Sequence, residues 1–146
     1  MDQDQKALSI LIAEDDEDDY LLVIEALKEA GVDIPVRRVQ DGEELMEYLH
    51  KVSTAADEQT KPTMIFLDLN MPKKDGREAL AEIKNNPTLC HIPVIVLTTS
   101  KSDSDIAHTY KLGVNSFIQK PLRFSELVDT VKVLSQYWFK IVKLPG

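Results

Sequence analysis

Residues Met64-Ile65-Phe66-Leu67 run apolar without a break, end in one carboxylate at Asp68, and are followed by Pro72 and Gly76. A short apolar run bounded by chain breakers is the pattern of a strand buried on both faces. Such a strand needs helices on both sides of its sheet, which points to an α/β fold with parallel strands. Asp68 then stands where a buried strand reaches the surface. In open α/β sheets that edge is where ligands bind. The plain alternative is a carboxylate that closes its own loop as an Asx turn. The stretch alone leaves both readings open.

The rest of the chain repeats the pattern. Leu8 to Ala13 is a second apolar run, ending in the six acidic residues Glu14–Asp19. Asp18 or Asp19 can cap the helix that follows, in which Leu22, Val23, Ala26, Leu27 and Ala30 recur at helical spacing and Gly31 is a natural stop. Pro35 to Val39 reads as a short strand. Asp41-Gly42 reads as a turn, and Leu45, Met46 and Leu49 lie on one side of a second helix. Lys51 to Lys61 is polar and reads as an enlarged surface loop. A third helix spans Arg77 to Lys84 and ends at Asn85-Asn86-Pro87. A fourth strand spans Pro93 to Leu97 and closes with Thr98-Thr99-Ser100. A fourth helix starts at Asp103 and Asp105 and stops at Gly113. Asn115 to Ile118 is a fifth strand, followed by Lys120-Pro121 and a long helix from about Ser125. Strands alternating with helices call for a parallel sheet covered on both faces.

Length and charge narrow the function. At 146 residues the chain holds one domain with a full core. It carries 17 basic against 25 acidic residues, a net charge of −8, which argues against direct nucleic-acid binding. A single cysteine, Cys90, allows no internal disulfide and fits a reducing compartment. Cys90 itself reads as a small half-buried residue and not as a zinc ligand. The start Met1-Asp2-Gln3-Asp4-Gln5 lacks the features of a signal peptide, and no apolar segment reaches membrane-spanning length. A cytoplasmic protein is expected.

Four strand ends carry polar residues that do not belong in a core: Glu14 and Asp15, Asp68, Thr98, and Lys120 just beyond the fifth strand. If the strands are parallel and adjacent, these converge on one rim. Three carboxylates held close repel one another. A hard divalent cation is the natural neutraliser, Mg²⁺ foremost with Mn²⁺ an alternative, and Lys120 can add a second positive charge. Such a rim suits phosphoryl transfer, which needs positioning and charge stabilisation more than covalent chemistry. Asp68 is then a carboxylate acceptor. The metal would hold one phosphoryl oxygen, Lys120 another and the Thr98 hydroxyl a third, while Asn70 offers its backbone carbonyl to the metal. Taken singly, each residue has an ordinary reading as a solvated helix start, a loop hydrogen bond or a surface lysine. Their joint occurrence in this order favours the site.

These residues resemble the receiver domain of two-component response regulators. The motifs are Ile10-Leu11-Ile12-Ala13-Glu14-Asp15-Asp16, Leu67-Asp68-Leu69-Asn70-Met71-Pro72 with Asp75-Gly76, Val96-Leu97-Thr98-Thr99, and Ile118-Gln119-Lys120-Pro121. The resemblance implies a flavodoxin-like (βα)5 doubly wound sheet of strand order 2-1-3-4-5, forming a single receiver domain over residues 1–146. It implies that Asp68 takes its phosphoryl group from a phosphohistidine on a sensor histidine kinase. Asp15 would ligate the metal directly and Glu14 mainly through a water. Thr98 and Lys120 would bind the phosphoryl group, and Lys120-Pro121 would be a cis peptide. Phe117 would be the switch aromatic that turns inward when Thr98 moves. Thr99 is larger than the residue usual at that position and is expected to slow access. No output domain follows, so a stand-alone regulator is expected. The long loop, the Asn70–Gly76 segment and the tail Ser135–Gly146 resemble the small single-domain regulators paired with bacterial phytochromes, which implies a phytochrome-type kinase.

In the last helix Phe124, Leu127, Val131, Leu134, Trp138 and Ile141 form a stripe that can face the sheet, while Val128, Val133, Tyr137, Phe139 and Val142 fall outside it. Tyr137, Trp138 and Phe139 are consecutive and point in directions about 100° apart, so one face cannot cover all three. Large uncovered aromatics suggest a protein contact. With the fourth helix and fifth strand they would form a two-fold surface, so a homodimer is expected, with Tyr137, Trp138, Phe139 and Val142 as its contacts. Two rival functions stand beside the phosphoacceptor switch. One is a contact-only adaptor that no longer uses phosphate. The other is a Mg²⁺-dependent aspartyl-phosphate phosphatase, disfavoured because Asn70 stands where that chemistry uses an aspartic acid as general acid. The chain is therefore expected to be a phosphoacceptor, catalysing at most its own phosphorylation and dephosphorylation.

Overall fold

The computed structural model describes residues 8–54, 61–99, 102–120 and 123–137. Strands β1 (Ile10–Ala13), β2 (Val36–Val39), β3 (Met64–Leu67), β4 (Val94–Thr98) and β5 (Ser116–Gln119) alternate with helices α1 (Glu17–Glu29), α2 (Gly42–Ser53), α3 (Gly76–Asn85), α4 (Asp103–Leu112) and α5 (Phe124–Gln136). The strands are all parallel, in the order β2-β1-β3-β4-β5. This is the doubly wound sheet the sequence leads one to expect.

Side-chain alternation divides the core. Leu11, Ala13, Ile65, Leu67, Val94 and Val96 pack with α2 and α3 on one face. Ile10, Ile12, Met64, Phe66, Ile95 and Leu97 pack with α1 and α5 on the other. Every residue of β1, β3 and β4 is buried, which is why these strands read as continuous apolar runs. Gly31 and Gly113, which follow α1 and α4, take the left-handed conformation at φ 77° and 102°, and the chain turns there without steric cost.

Four local expectations are corrected. The cap of α1 is Asp16, whose carboxylate accepts the Asp19 N–H at 2.9 Å, and not Asp18 or Asp19. Asp41 and Gly42 are not a free turn. Asp41 caps α2 by accepting the Glu44 N–H at 2.8 Å, and Gly42 is the first helical residue. The polar segment does not begin at Lys51, because α2 continues to Ser53 and Val52 extends the buried stripe of Leu45, Met46 and Leu49. On α5, Phe124 is 42% exposed, while Val128 joins Leu127, Val131 and Leu134 on the core face. Residues 55–60 of the loop, Pro121 with its Lys120-Pro121 peptide, and Trp138, Phe139, Ile141 and Val142 lie outside the described residues.

Candidate functional site

Parallel pairing brings the carboxyl ends of β1, β3, β4 and β5 to one edge, and short ladder extensions carry the polar residues onto it. The Asp68 N–H donates to the Ala13 carbonyl at 3.1 Å, and the Lys120 N–H to the Thr98 carbonyl at 2.7 Å. Glu14, Asp68 and Thr98 are buried polar residues at this rim of a largely apolar core. A backbone that turns this sharply after β3 leaves no room for a side chain at the start of α3. A Cβ on Gly76 would lie 2.4 Å from the Asp68 carbonyl oxygen and 2.6 Å from the Leu69 Cα.

The carboxylates of Glu14, Asp15 and Asp68 converge, with one oxygen from each lying within 4.8 Å of the others. Lys120 enters this cluster from the β5 side. Its Nζ is 2.5 Å from Glu14 Oε1, 3.0 Å from Asp19 Oδ2 and 3.9 Å from Asp68 Oδ2. Burial raises the Glu14 pKa to about 7. The Lys120 hydrogen bond opposes this rise, and the Asp68 charge adds to it. Burial also works against the Lys120 ammonium, but its bonds and charge interactions with Glu14, Asp68 and Asp19 outweigh burial and raise its pKa. One ammonium is therefore shared among more carboxylates than it can neutralise. Three hard oxygen donors gathered in this way are a fitting set for a small divalent cation.

Asn70 spans the mouth of the site. Its backbone N–H donates to Asp68 Oδ1 at 3.1 Å, so the Asx turn offered as the plain reading of Asp68 exists, using one carboxylate oxygen. Its side-chain Nδ2 donates to Thr98 Oγ1 and Thr99 Oγ1, each at 3.3 Å. Thr99 is exposed beside the buried Thr98. Phe117 is half-buried against the α2–α3 side of the core, and its N–H donates to the Tyr110 hydroxyl at 3.1 Å. Of the dimer candidates only Tyr137 is described, and it is 49% exposed at the end of α5.

Two residues at the rim escaped sequence reasoning. Asp19 reads in sequence as one of two possible helix caps, yet its carboxylate accepts from Lys120. Arg38, on β2, donates to the backbone carbonyls of Glu14 at 3.1 Å and Asp15 at 3.2 Å. The only signal for Arg38 was an arginine pair on a short strand next to an acidic turn in space.

Comparison with known proteins agrees with this geometry. The family model of the response regulator receiver domain matches residues 10–132. The chain is 41% identical over 137 residues to response regulator Rcp1 of Synechocystis sp., covering 94% of this chain and 92% of that protein. The crystal structure of the phosphorylated cyanobacterial phytochrome response regulator RcpA is similar at a TM-score of 0.84 and 44% identity, covering 95% of this chain and 99% of that one. The Mn²⁺-bound form of Rcp1 is similar at a TM-score of 0.82 and 41% identity, with the same coverage. In sequence, strand order and the polar residues at its strand ends, the chain belongs to the response regulator receiver domain family.

Proposed function

We propose that this receiver accepts a phosphoryl group on Asp68 from the phosphohistidine of a phytochrome-type sensor histidine kinase. The observation that carries the reading is the meeting of Asp68 with Glu14, Asp15 and Lys120 at one strand edge. A carboxylate oxygen of Asp68 forms the new P–O bond as the P–N bond breaks, and the imidazole nitrogen keeps the electron pair. Lys120 Nζ, 3.9 Å from Asp68 Oδ2, is in place to turn to a phosphoryl oxygen, and the Thr98 hydroxyl to bond another. Glu14, Asp15, Asp68 and the Asn70 backbone carbonyl would hold Mg²⁺ or Mn²⁺, which supplies positive charge to the phosphoryl oxygens. The Mn²⁺-bound form of the relative Rcp1 supports this choice of cation. The phytochrome pairing is supported by RcpA, a phytochrome response regulator 44% identical to this chain.

The protein works as a phosphoacceptor switch and not as an enzyme with an external product. Asn70 offers an amide, engaged with Thr98 and Thr99, where a phosphatase needs a proton donor. When Thr98 turns to the phosphoryl group, Phe117 follows, and the change reaches the face of α4, β5 and α5. Tyr110, Val133 and Tyr137 are large exposed apolar residues of these elements, and they support a homodimer formed through this face. A net charge of −8 supports a protein partner over nucleic acid. Among the described residues no helix is long and apolar enough to cross a membrane, in keeping with work in the cytoplasm.

The test is intact mass after incubation with Mg²⁺ and acetyl phosphate, with Asp68→Asn alongside. Gain of one phosphoryl mass in the wild type alone is expected. Labelling of Asp68→Asn would overturn the acceptor assignment. Absence of transfer from an autophosphorylated phytochrome-type kinase to a receiver that acetyl phosphate still labels would overturn the phytochrome pairing.

A further inference from the structure

We infer that Arg38 is the positioning residue of the metal-binding turn, and that its grip on two backbone carbonyls sets the affinity of the site for its divalent cation. The inference rests on reading Glu14, Asp15 and Asp68 as the cation's ligands.

Arg38 lies on β2, in register with Ile12 of β1. Its guanidinium uses three nitrogens on three successive parts of one turn. Nε donates to the Glu14 carbonyl at 3.1 Å, Nη2 to the Asp15 carbonyl at 3.2 Å, and Nη1 to Glu17 Oε2 at 3.2 Å. The group stacks over the Tyr20 ring, 4.7 Å from its centroid, and the side chain is only 13% exposed. A planar fork held by a ring on one face and three acceptors at its edge has little freedom left.

What the fork holds matters more than how many bonds it makes. A carbonyl pinned to one side fixes its peptide plane, and the plane fixes where the adjoining Cα–Cβ bonds point. Pinning the carbonyls of residues 14 and 15 toward β2 leaves the Glu14 and Asp15 side chains to point at Asp68. The turn is tied on its inner side as well, where the Asp16 N–H donates to Glu14 Oε2 at 3.2 Å. Glu17 pairs with the guanidinium charge, which reduces its repulsion of a cation in the site. Preorganised ligands bind a small, geometrically demanding ion more tightly than ligands that must first be ordered.

A lysine at this position keeps the charge but offers one nitrogen on a flexible stem, which cannot hold both carbonyls and Glu17 together. Arg38→Lys therefore separates positioning from charge. Tyr20→Leu loosens the same fork from its other face, again with no change of charge. Mg²⁺ affinity is measured by titration calorimetry on wild type, Arg38→Lys, Tyr20→Leu and Asp15→Asn, with thermal unfolding of each in metal-free buffer. Asp15→Asn is expected to abolish binding, while Arg38→Lys weakens it roughly ten-fold and Tyr20→Leu weakens it in the same direction. Acetyl phosphate labelling of Arg38→Lys should be slow at low Mg²⁺ and recover as Mg²⁺ is raised, a pattern that a merely structural role would not give. Unchanged or tighter binding by Arg38→Lys, with Asp15→Asn still dead, overturns the inference alone. Wild-type and Asp15→Asn proteins that bind Mg²⁺ equally overturn the cation site and the inference with it. If Arg38→Lys does not unfold cooperatively, the Tyr20→Leu result decides.

Discussion

Replacing Lys120 with methionine should destabilise the metal-free protein in a way that depends on pH. The methionine matches the aliphatic stem of lysine and removes only the ammonium. At an effective dielectric constant of about 20, unit charges separated by the distances from Nζ to Glu14 (2.5 Å), Asp19 (3.0 Å) and Asp68 (3.9 Å) attract by about 6.6, 5.5 and 4.3 kcal/mol. Most of this is offset by the cost of taking the charges out of water, and the Asp19 part is weakened further because that side chain is 36% exposed. Removing one partner of such a buried pair leaves a net loss of about 3 kcal/mol. For a chain of this size that lowers the midpoint of thermal unfolding by roughly 6–12 °C. The pH dependence follows from Glu14. Its folded-state pKa of about 7 lies above the ordinary 4.5, so it contributes stability below pH 4.5 that is lost as pH rises through 7. Without Lys120 the Glu14 pKa rises further, because the hydrogen bond and charge that oppose burial are gone, and the variant goes on losing stability where the wild type has stopped. One proton difference integrated between pH 6 and 8 amounts to about 1.4 kcal/mol. The gap between variant and wild type should therefore be smaller at pH 6 than at pH 8 by that amount. Urea unfolding in metal-free buffer at the two pH values measures it. A gap that is constant with pH, or wider at pH 6, would show that Glu14 is not the group Lys120 holds charged.

Three further outcomes follow from the same geometry. Gly76→Ala forces a Cβ against the Asp68 carbonyl and the Leu69 Cα, both backbone atoms, so a loss of about 1–3 kcal/mol is expected in urea unfolding; an unchanged midpoint would mean that the turn after β3 is more open than described. Arg77 forks onto both oxygens of Asp105, at 2.7 and 2.6 Å, and also bonds Asp75, tying the start of α4 to the start of α3. Arg77→Lys should speed amide exchange in the first turn of α4 while α1 is unaffected, and equal exchange would refute the tie. Because a carboxyl must lose its proton to ligate a metal, Mg²⁺ affinity should fall about ten-fold per pH unit below the Glu14 pKa of about 7. Calorimetric affinity that is flat from pH 8 to 6 would count against Glu14 as a ligand.

The fold was legible because its signals are local and repeated. Apolar runs ending at breakers mark β1, β3 and β4, and the apolar spacing in α1, α2 and α3 follows the helical period. The residues that carry the proposed chemistry were legible because each sits at a strand end where an apolar run stops abruptly. What could not be read was the choice among equivalent residues. Any of several carboxylates in Glu14–Asp19 can cap a helix. Only the backbone path selects Asp16, and that choice leaves Asp19 to meet a lysine 101 positions away. The arginine pair shows the same limit. Period-two alternation sends Arg37 over Tyr48 of α2 and Arg38 over Tyr20 of α1, but which of the two reaches the acidic turn depends on how β2 pairs with β1. Phe124 lies on the apolar stripe by spacing alone, yet as the first residue of α5 it is 42% exposed.

The site joins two electrostatic arrangements that pull in different directions, and this explains why it can act as a switch. Glu14, Asp19 and Asp68 share the single ammonium of Lys120, with Asp15 at the rim. Burial holds Glu14 near pKa 7, with the Asp68 charge adding to the rise and the shared Lys120 opposing it only in part. A cation among the carboxylates removes the excess negative charge, and a phosphoryl group on Asp68 gives Lys120 a new anion to face. Either change alters the balance by a few kcal/mol, the scale that separates two conformations of a packed domain. Asn70 links that balance to the sheet, since one residue bonds Asp68 through its backbone and Thr98 through its side chain. The Thr98 oxygen accepts from the Asn70 amide while its O–H is the donor that a phosphoryl oxygen would use, so turning the hydroxyl to the phosphoryl group moves the oxygen that Asn70 holds, and Thr98 is paired in register with Gln119, two residues from Phe117 on β5. Under the proposed function, a change of charge at Asp68 would pass through one asparagine and one threonine to the edge strand next to α4 and α5.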